Sequence, residues 1–155
     1  MKLSLSATKL EKQQKSCILI GIYEDGVLTP SAKQIDKAAD GFISKLLKQG
    51  TFQPKTAATL PLFQLGHFQN VLLVGCGKEN KVNAASFRKI IAAATRALNN
   101  LKITQATSYL AEINVNEHDH AWKIKQIAEV SLDTLYRFDE FKSDKDPAIS
   151  IKEIT

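Results

Sequence analysis

The stretch from Asn70 to Leu101 constrains the fold of this chain more than any other part of the sequence. It opens with four consecutive apolar residues, Val71–Val74, a pattern typical of a strand covered on both faces of a sheet. The glycines of Gly75–Gly77 then allow a sharp turn, where a side chain would clash or φ must be positive. From Phe87 onward, apolar residues recur at the spacing of a one-faced helix, for which Asn83 is a suitable N-cap. Strand, turn and helix together predict half of a βαβ unit.

Segments on either side supply the neighbouring strands. Cys17–Tyr23 and Thr104–Ala111 are predicted to be strands, and Lys2–Ala7 alternates polar and apolar residues like a half-exposed strand. Phe52–Leu65 is interrupted by prolines, which favours broken extended structure with an edge strand or hairpin. Isoleucines between 149 and 154 predict the start of one further strand.

Two more amphipathic helices are predicted. One follows Thr29–Pro30, with the threonine as N-cap and the proline at the first helical position, and ends before Gly50. Its predicted buried face consists of Ile35, Ala38, Ala39, Phe42, Ile43, Leu46 and Leu47. The other begins at about Asn116, with Glu117 and Asp119 in its first turn. Its predicted buried face consists of Ala121, Trp122, Ile124, Ile127, Ala128, Leu132 and Leu135.

The alternation of strands with three helices predicts an α/β fold. We expect a three-layer sandwich, in which a mixed, mainly parallel sheet carries helices on both faces. Residues 1–143 are expected to form this domain, and residues 144–155 to be a linker and the start of a following domain. Continuing the last helical face puts Phe138 in the core of this domain and Phe141 at its surface near the linker.

Composition is that of an ordinary globular protein, with 44% hydrophobic and 24% charged residues. No apolar run is long enough to cross a membrane, and the N-terminus lacks the apolar core of a signal peptide, so a cytoplasmic location is expected. Cys17 and Cys76 lie far apart in apolar strands, which predicts reduced core thiols rather than a disulfide or a metal site.

The formal net charge of +5 would suit an acidic partner such as nucleic acid. The charge comes almost entirely from dispersed lysines, and Arg88, Arg96 and Arg137 are the only arginines. Arginine is the usual bidentate reader of guanine, so base-specific recognition is poorly supported. The sequence allows at most weak, salt-sensitive DNA binding.

The glycine turn is the first place to look for a ligand, since such turns can hold phosphate at a helix N-terminus. It does not match the sequence motifs of the established phosphate-binding loops. Leu72 and Glu79 stand where a P-loop needs glycine and a hydroxyl residue, and Asn80 stands where a dinucleotide fingerprint needs its third glycine. A plain strand-terminating turn at Gly75–Lys78 is therefore favoured over a phosphate site.

Other potential chemistry is equally sparse. Glu117–His120 is the only cluster of potential metal ligands, but its spacing matches no zinc pattern and no cysteine is near. His67 stands alone beside a glycine and is interpreted as structural. Asp139 and Glu140 are adjacent on a predicted helix, so their carboxylates diverge. We therefore assign no catalytic, cofactor-binding or metal-binding residue.

Three stretches carry a family resemblance. They are Val71–Lys78 (VLLVGCGK), the alanine-rich helix Phe87–Leu98, and Tyr136–Ser143 (YRFDEFKS). Together with the order of the other elements, they resemble the N-terminal domain of leucyl (cytosol) aminopeptidases. The resemblance implies a macrodomain-like α/β domain, followed in the whole protein by a larger catalytic domain.

In that family the catalytic domain holds two zinc or manganese ions on Lys, Asp and Glu ligands around an Asn-Thr-Asp-Ala-Glu-Gly-Arg stretch. Nothing similar occurs here, so no catalytic or metal residue is carried over and the chain alone is expected to be inactive. The resemblance implies peptide hydrolysis by the whole protein, a homo-oligomer, and in some bacterial relatives DNA binding.

A second hypothesis is a free-standing macrodomain-like module that binds an ADP-ribose-type nucleotide. It would need a shaped phosphate loop and an adenine-reading acid after the early strand, for which Asp25 is the candidate. The candidate phosphate loops contain few glycines, and a fold alone is a poor guide to function. The accessory domain is therefore the preferred hypothesis.

Overall fold

The computed structural model describes residues 1–6, 9–12, 16–141 and 149–155. The strands are β1 (Lys2–Leu3), β2 (Cys17–Ile22), β3 (Thr59–Leu65), β4 (Phe68–Gly75), β5 (Gln105–Ser108) and β6 (Glu153–Ile154). The helices are α1 (Pro30–Ala38), α2 (Phe42–Lys48), α3 (Ala84–Asn100) and α4 (His120–Phe141). Short 3-10 turns lie at Leu10–Lys12, Glu79–Lys81 and Leu110–Glu112.

All the described strands belong to one six-stranded sheet, in the order β1-β6-β5-β2-β4-β3. Every neighbouring pair is parallel except β3 and β4, which form an antiparallel hairpin at one edge. In register, Ile18 of β2 lies between Val71 of β4 and Thr107 of β5. The predicted mixed, mainly parallel sheet is confirmed, and the edge position of β3 explains why Pro61 is tolerated within it.

Helices cover both faces of the sheet, as predicted. Successive side chains of β2 point to opposite faces of the sheet, as in any strand. Ile18 and Ile20 pack in one core with Ile35 of α1. Leu19 packs in the other core with Phe87 of α3. This arrangement buries β2 and the Val71–Gly75 part of β4 on both sides, which is the reason these residues are apolar.

The start of α3 is fixed locally, as the sequence predicted. The Asn83 side chain accepts a hydrogen bond from the Ser86 amide at 2.9 Å, and the Ser86 hydroxyl accepts one from the Asn83 amide at 3.0 Å. This reciprocal pair is a capping box, which satisfies two backbone donors at the helix start.

The single helix predicted from Thr29 to Gly50 is wrong, because the chain breaks between α1 and α2. Asp40 and Gly41 both adopt left-handed φ values, of 55° and 76°. A left-handed residue ends a helix, so the face predicted across the break is not continuous. Phe42, predicted to be buried, is consequently exposed.

The last helix also differs from the prediction. Helix α4 begins at His120, about one turn later than expected, because Asp119 is its cap and accepts from the Trp122 amide at 2.9 Å. Its buried face includes polar residues that bond to α3: Gln126 accepts from Arg88 and Ser131 from Thr95. This turns Leu132, predicted to be buried, toward solvent, where it is 47% exposed.

The described C-terminal residues belong to this domain. Strand β6 lies between β1 and β5, and Ile151 and Ile154 are buried in the core around α3. The predicted final strand is thus present, and it lies within the sheet of this domain. The predicted linker at Asp144–Pro147 lies outside the described residues, as do the side chains of Phe138 and Phe141.

Within the described residues, no helix is both long enough and apolar enough to cross a membrane.

Candidate functional site

The carboxyl ends of the parallel strands are the natural place for a site in a sheet of this kind. The segments that follow β2, β4 and β5 meet there. The Glu24 amide, after β2, donates to the Gly77 carbonyl, after β4, at 2.8 Å. The Asn114 amide, in the segment after β5, donates to the Tyr23 hydroxyl at 3.2 Å. We call this convergence of loops the carboxyl edge.

The first three backbone donors of the glycine turn on this edge are already in use. The amides of Gly75, Cys76 and Gly77 donate to the carbonyls of Ala58, Ile22 and Pro54, at 2.7, 2.9 and 3.1 Å. A phosphate cradle needs such N–H groups to point at the ligand, and these point at the protein's own backbone.

The two glycines of this turn serve close packing. A Cβ on Gly75 would overlap the Lys55 carbonyl oxygen, and Gly77 has φ of 72° beside the Thr56 hydroxyl. The sequence prediction of a turn that needs glycine for a close approach or a positive φ is confirmed at both positions.

The start of α1 also lies at this edge, since α1 is the helix that follows β2. Thr29 occupies the predicted N-cap position, but its hydroxyl donates to the Gly21 carbonyl at 2.9 Å and does not cap the helix. Instead, the carboxylate of Glu112 accepts from the Ser31 amide at 3.0 Å and from the Ser31 hydroxyl at 2.6 Å. The sequence did not reveal this pair, because its members are 81 residues apart and no local pattern links them.

A cleft of about 520 Å³ lies beside the loop that follows β2. Asp25, the candidate adenine-reading acid, is on its wall together with Lys48 and Lys55. All three side chains are exposed to solvent, unlike the few precisely placed polar groups that orient ligands in established pockets. The cleft therefore has the volume of a ligand site, but none of these three side chains is buried in the way a recognition group usually is.

Glu117–His120 does not converge on a point. The His118 ring stacks on Trp122 with ring centroids 3.7 Å apart, and Asp119 caps α4. No group of three or more metal-ligating side chains occurs among the residues that the structure describes. His67 is exposed on the β3–β4 turn, with its ring centroid 4.7 Å from that of Phe68.

Lys123 is a buried cation that no local sequence pattern singles out. Its Nζ donates to the Ile113 carbonyl, in the segment after β5, at 3.0 Å. Desolvation lowers the pKa of this ammonium group, and the nearby Asp119 partly opposes that change. The contact ties α4 to the segment that also carries Glu112.

The two cysteines are free and buried, with 3% and 1% of their surfaces exposed. Burial raises the pKa of both Cys17 and Cys76 to about 12. Because the thiolate is the reactive form, neither thiol is suited to nucleophilic chemistry. The prediction of reduced core thiols is confirmed.

This burial gives a measurable expectation. Iodoacetamide at pH 8 should alkylate both cysteines of the urea-unfolded chain. Over the same time it should leave both thiols of the native protein unmodified. The unfolded thiols lose their protons from about pH 9, and the folded thiols only near pH 12. The free energy of unfolding should therefore decrease as the pH rises from about 9 to about 12. The expected decrease is about 1.4 kcal/mol per pH unit for each thiol. Rapid labelling of the native protein would contradict this.

Comparison with known proteins identifies the family to which the chain is similar. Residues 19–145 match the sequence profile of the cytosol aminopeptidase family, N-terminal domain. A probable cytosol aminopeptidase of Chromobacterium violaceum is 38% identical over 151 residues, which are 96% of this chain and 29% of that protein. A probable cytosol aminopeptidase of Vibrio vulnificus is 39% identical over 147 residues, 94% of this chain and 29% of the relative. The chain thus spans less than a third of the length of these relatives.

Solved structures agree on the fold. A mutant of tomato leucine aminopeptidase superposes with a TM-score of 0.74 at 17% identity, over 99% of this chain and 32% of that one. The macrodomain of Mycobacterium tuberculosis DarG superposes with a TM-score of 0.65 at 10% identity, over 99% and 97% of the two chains. The macrodomain-like architecture is confirmed. With its profile match over most of its length, the chain belongs to the cytosol aminopeptidase family, as the N-terminal domain of that family.

Proposed function

We propose that this chain is a non-catalytic accessory domain, and that the whole protein is a leucyl aminopeptidase whose separate catalytic domain removes N-terminal residues from peptides. The observation that carries the proposal is the match of residues 19–145 to the N-terminal domain of the family. The relatives are more than three times as long as the part that this chain matches, which leaves room for a catalytic domain.

The metal chemistry of such an enzyme belongs, in this proposal, to the catalytic domain. Two zinc or manganese ions would there activate a water for attack on the peptide bond. The described residues do not fit such a centre, since the one acidic and histidine-rich cluster is dispersed by the Asp119 cap and the His118–Trp122 stack. We therefore assign none of this chain's residues to the reaction.

The partners follow from the same proposal. The catalytic domain of the same protein is the first of them, a homo-oligomer is the second, and peptides are bound through the whole enzyme. A cytoplasmic location, away from membranes, suits the relatives named cytosol aminopeptidases. Weak DNA binding through dispersed lysines remains part of the proposal; Lys9 and Lys12 are exposed and available for phosphate contacts.

The alternative of a nucleotide-binding module rests on the fold alone. A macrodomain fold does not imply the ligand of a macrodomain, because function depends on the site. The amides of Gly75–Gly77 are bonded internally and Glu112 accepts from Ser31 at the start of α1, so the geometry favours the accessory domain.

The isolated chain should show no hydrolysis of leucine amide, with or without added zinc or manganese, because the family's metal-binding stretch does not occur in its sequence. A purified cytosol aminopeptidase in the same buffers is the positive control. Metal-dependent turnover that follows this chain through successive purification steps would overturn the proposal.

Reading the gene beyond the Thr155 codon tests the assignment directly. The expected result is a continuous reading frame that encodes the family's Asn-Thr-Asp-Ala-Glu-Gly-Arg stretch. An immediate stop codon would contradict the accessory role and favour a free-standing binding module.

A further inference from the structure

An open groove lies between α4 and the edge of the sheet that β1 and β6 form. Its volume is about 390 Å³, within the range of about 300–1,000 Å³ that is usual for binding pockets. We call it the α4 groove. Its apolar lining consists of Leu3, Leu5 and Ile154 on the sheet side and Ile124, Ile127 and Ala128 on the helix side.

Helix α4 has a second apolar face along this groove. Ile127 and Leu135 pack in the core around α3. In contrast, Ile124, Ala128 and Leu132 pack in neither of the two cores that the described residues form. They recur at every fourth position, so they lie one above the other on the same side of the helix. This face of α4 is therefore apolar and is left uncovered by the described part of the chain.

The sheet side of the groove is also exposed. Leu5 presents 79% of its surface to solvent, and Leu132 presents 47%. Single exposed leucines are common and need no explanation, but apolar side chains that are grouped along a groove indicate an interaction surface.

The hydroxyl groups that line the groove already have partners within the chain. The hydroxyls of Ser4 and Thr155 lie 3.0 Å apart and are hydrogen-bonded to each other. The Ser108 hydroxyl accepts from the Leu110 amide at 3.3 Å. A polar ligand would have to compete with these bonds, so the groove is better suited to apolar side chains.

The position of Thr155 favours one occupant. This residue lines the groove, and the chain matches the N-terminal domain of relatives that are more than three times as long as the matched part. In the proposed whole protein, the polypeptide that follows Thr155 therefore leaves the sheet beside the groove. A segment tethered there by a short connection has an effective concentration of about millimolar, which a separate partner would have to match.

We propose that the α4 groove is the docking site of the polypeptide that follows Thr155 in the whole protein. That segment turns back over the sheet, and its apolar side chains cover Leu5, Ile124 and Leu132. This inference rests on the proposed function, because it requires a protein that continues beyond Thr155. It assigns to the accessory domain a defined contact surface for the rest of the enzyme.

Hydroxyl-radical footprinting tests the proposal without a mutation. The isolated chain and the whole protein are exposed to the same radical dose, and oxidation of each side chain is measured by mass spectrometry. Leu5 and Leu132 should be oxidised about fivefold more slowly in the whole protein, because side chains within an interface are shielded from water. Phe63, which is 61% exposed on β3 at the opposite edge of the sheet, is the internal control and should react equally in both.

A pair of variants of the whole protein tests the groove itself. Leu132→Asp places a charge on the proposed contact and should return the oxidation of Leu5 to its rate in the isolated chain, because an unpaired charge is costly to bury. Phe63→Asp is the matched control and should leave Leu5 protected. Both positions are exposed in the isolated chain, so neither change disturbs its core. Protection of Leu5 that persists in Leu132→Asp would overturn the proposal.

The remaining outcomes separate this proposal from the proposed function. Equal oxidation of Leu5 and Leu132 in the two proteins would overturn the docking site, even if the whole protein hydrolyses leucine amide. Protection in a whole protein without that activity would support the docking site and contradict the peptidase. A stop codon directly after Thr155 would overturn both. Protection of Leu5 in the isolated chain that increases with protein concentration would assign the groove to a second copy and would overturn the proposal.

Discussion

Replacing Gly75 by alanine is expected to lower the free energy of unfolding by about 3 kcal/mol or more. The new Cβ would lie 2.7 Å from the carbonyl carbon of Pro54 and closer still to the carbonyl oxygen of Lys55. These are backbone atoms, and the adjacent Gly77 to Pro54 and Gly75 to Ala58 hydrogen bonds hold them in place. They cannot rotate aside as a side chain could.

Gly50→Ala is the matched control. Gly50 has φ of 72°, but a Cβ there would meet nothing within 4 Å. Only backbone strain remains, which should cost about 1 kcal/mol. Urea unfolding followed by far-UV circular dichroism gives both values. A loss at Gly75→Ala no larger than that at Gly50→Ala would mean that the segment around Pro54 and Lys55 moves away freely.

The second large effect is expected in the core on the α3 side of the sheet. Phe87 is fully buried, and its ring centroid lies 5.8 Å from that of Trp122 on α4. Phe87→Ala removes this packing between α3 and α4 and leaves a cavity. The free energy of unfolding should fall by about 3–5 kcal/mol.

Phe63→Ala makes the same chemical change on the edge strand β3, where the ring is 61% exposed. Its cost should be under about 1 kcal/mol, because little packing is lost. The same urea titrations compare the two variants. Similar losses at both positions would show that the Phe87 cavity collapses, or that Phe63 is covered in solution.

Local sequence patterns account for the centre of this fold. The unbroken apolar runs of β2 and β4 indicate strands buried on both faces, and the structure places them side by side in parallel. Asn83 and Ser86 cap α3 within four residues of each other, so a reader of the sequence can find that helix start. These signals work because the interacting groups are close together along the chain.

The errors arise where a partner from elsewhere decides the structure. The first predicted helix is divided at Asp40–Gly41, and α2 is then capped by Asp36, which accepts from the Ser44 amide at 3.1 Å. The start of α1 depends likewise on Glu112, from beyond β5. An apolar-periodicity argument sees neither carboxylate, because it treats charged residues as solvent-facing.

The predicted buried face of α4 is wrong for a related reason. Periodicity assumes that the buried stripe is the most apolar one, yet α4 buries Gln126 and Ser131 because α3 presents Arg88 and Thr95 to them. Polar residues are stable inside when they are hydrogen-bonded, and only the three-dimensional arrangement supplies the partners. The same limit hid the Glu112–Ser31 contact, which joins the 3-10 turn after β5 to the start of α1.

The pairing of β6 has a mechanical consequence. Thr155, the residue after β6, donates its amide to the Ala106 carbonyl at 2.9 Å and accepts from the Ser108 amide at 2.7 Å. On the other side of β6, the Lys2 amide donates to the Lys152 carbonyl and the Ser4 amide donates to the Ile154 carbonyl. A force applied beyond Thr155 along the strand would load these bonds together, in shear, rather than breaking them one at a time. Any polypeptide joined at this residue would therefore be rigidly coupled to the sheet, and its movements would be transmitted directly to the sheet.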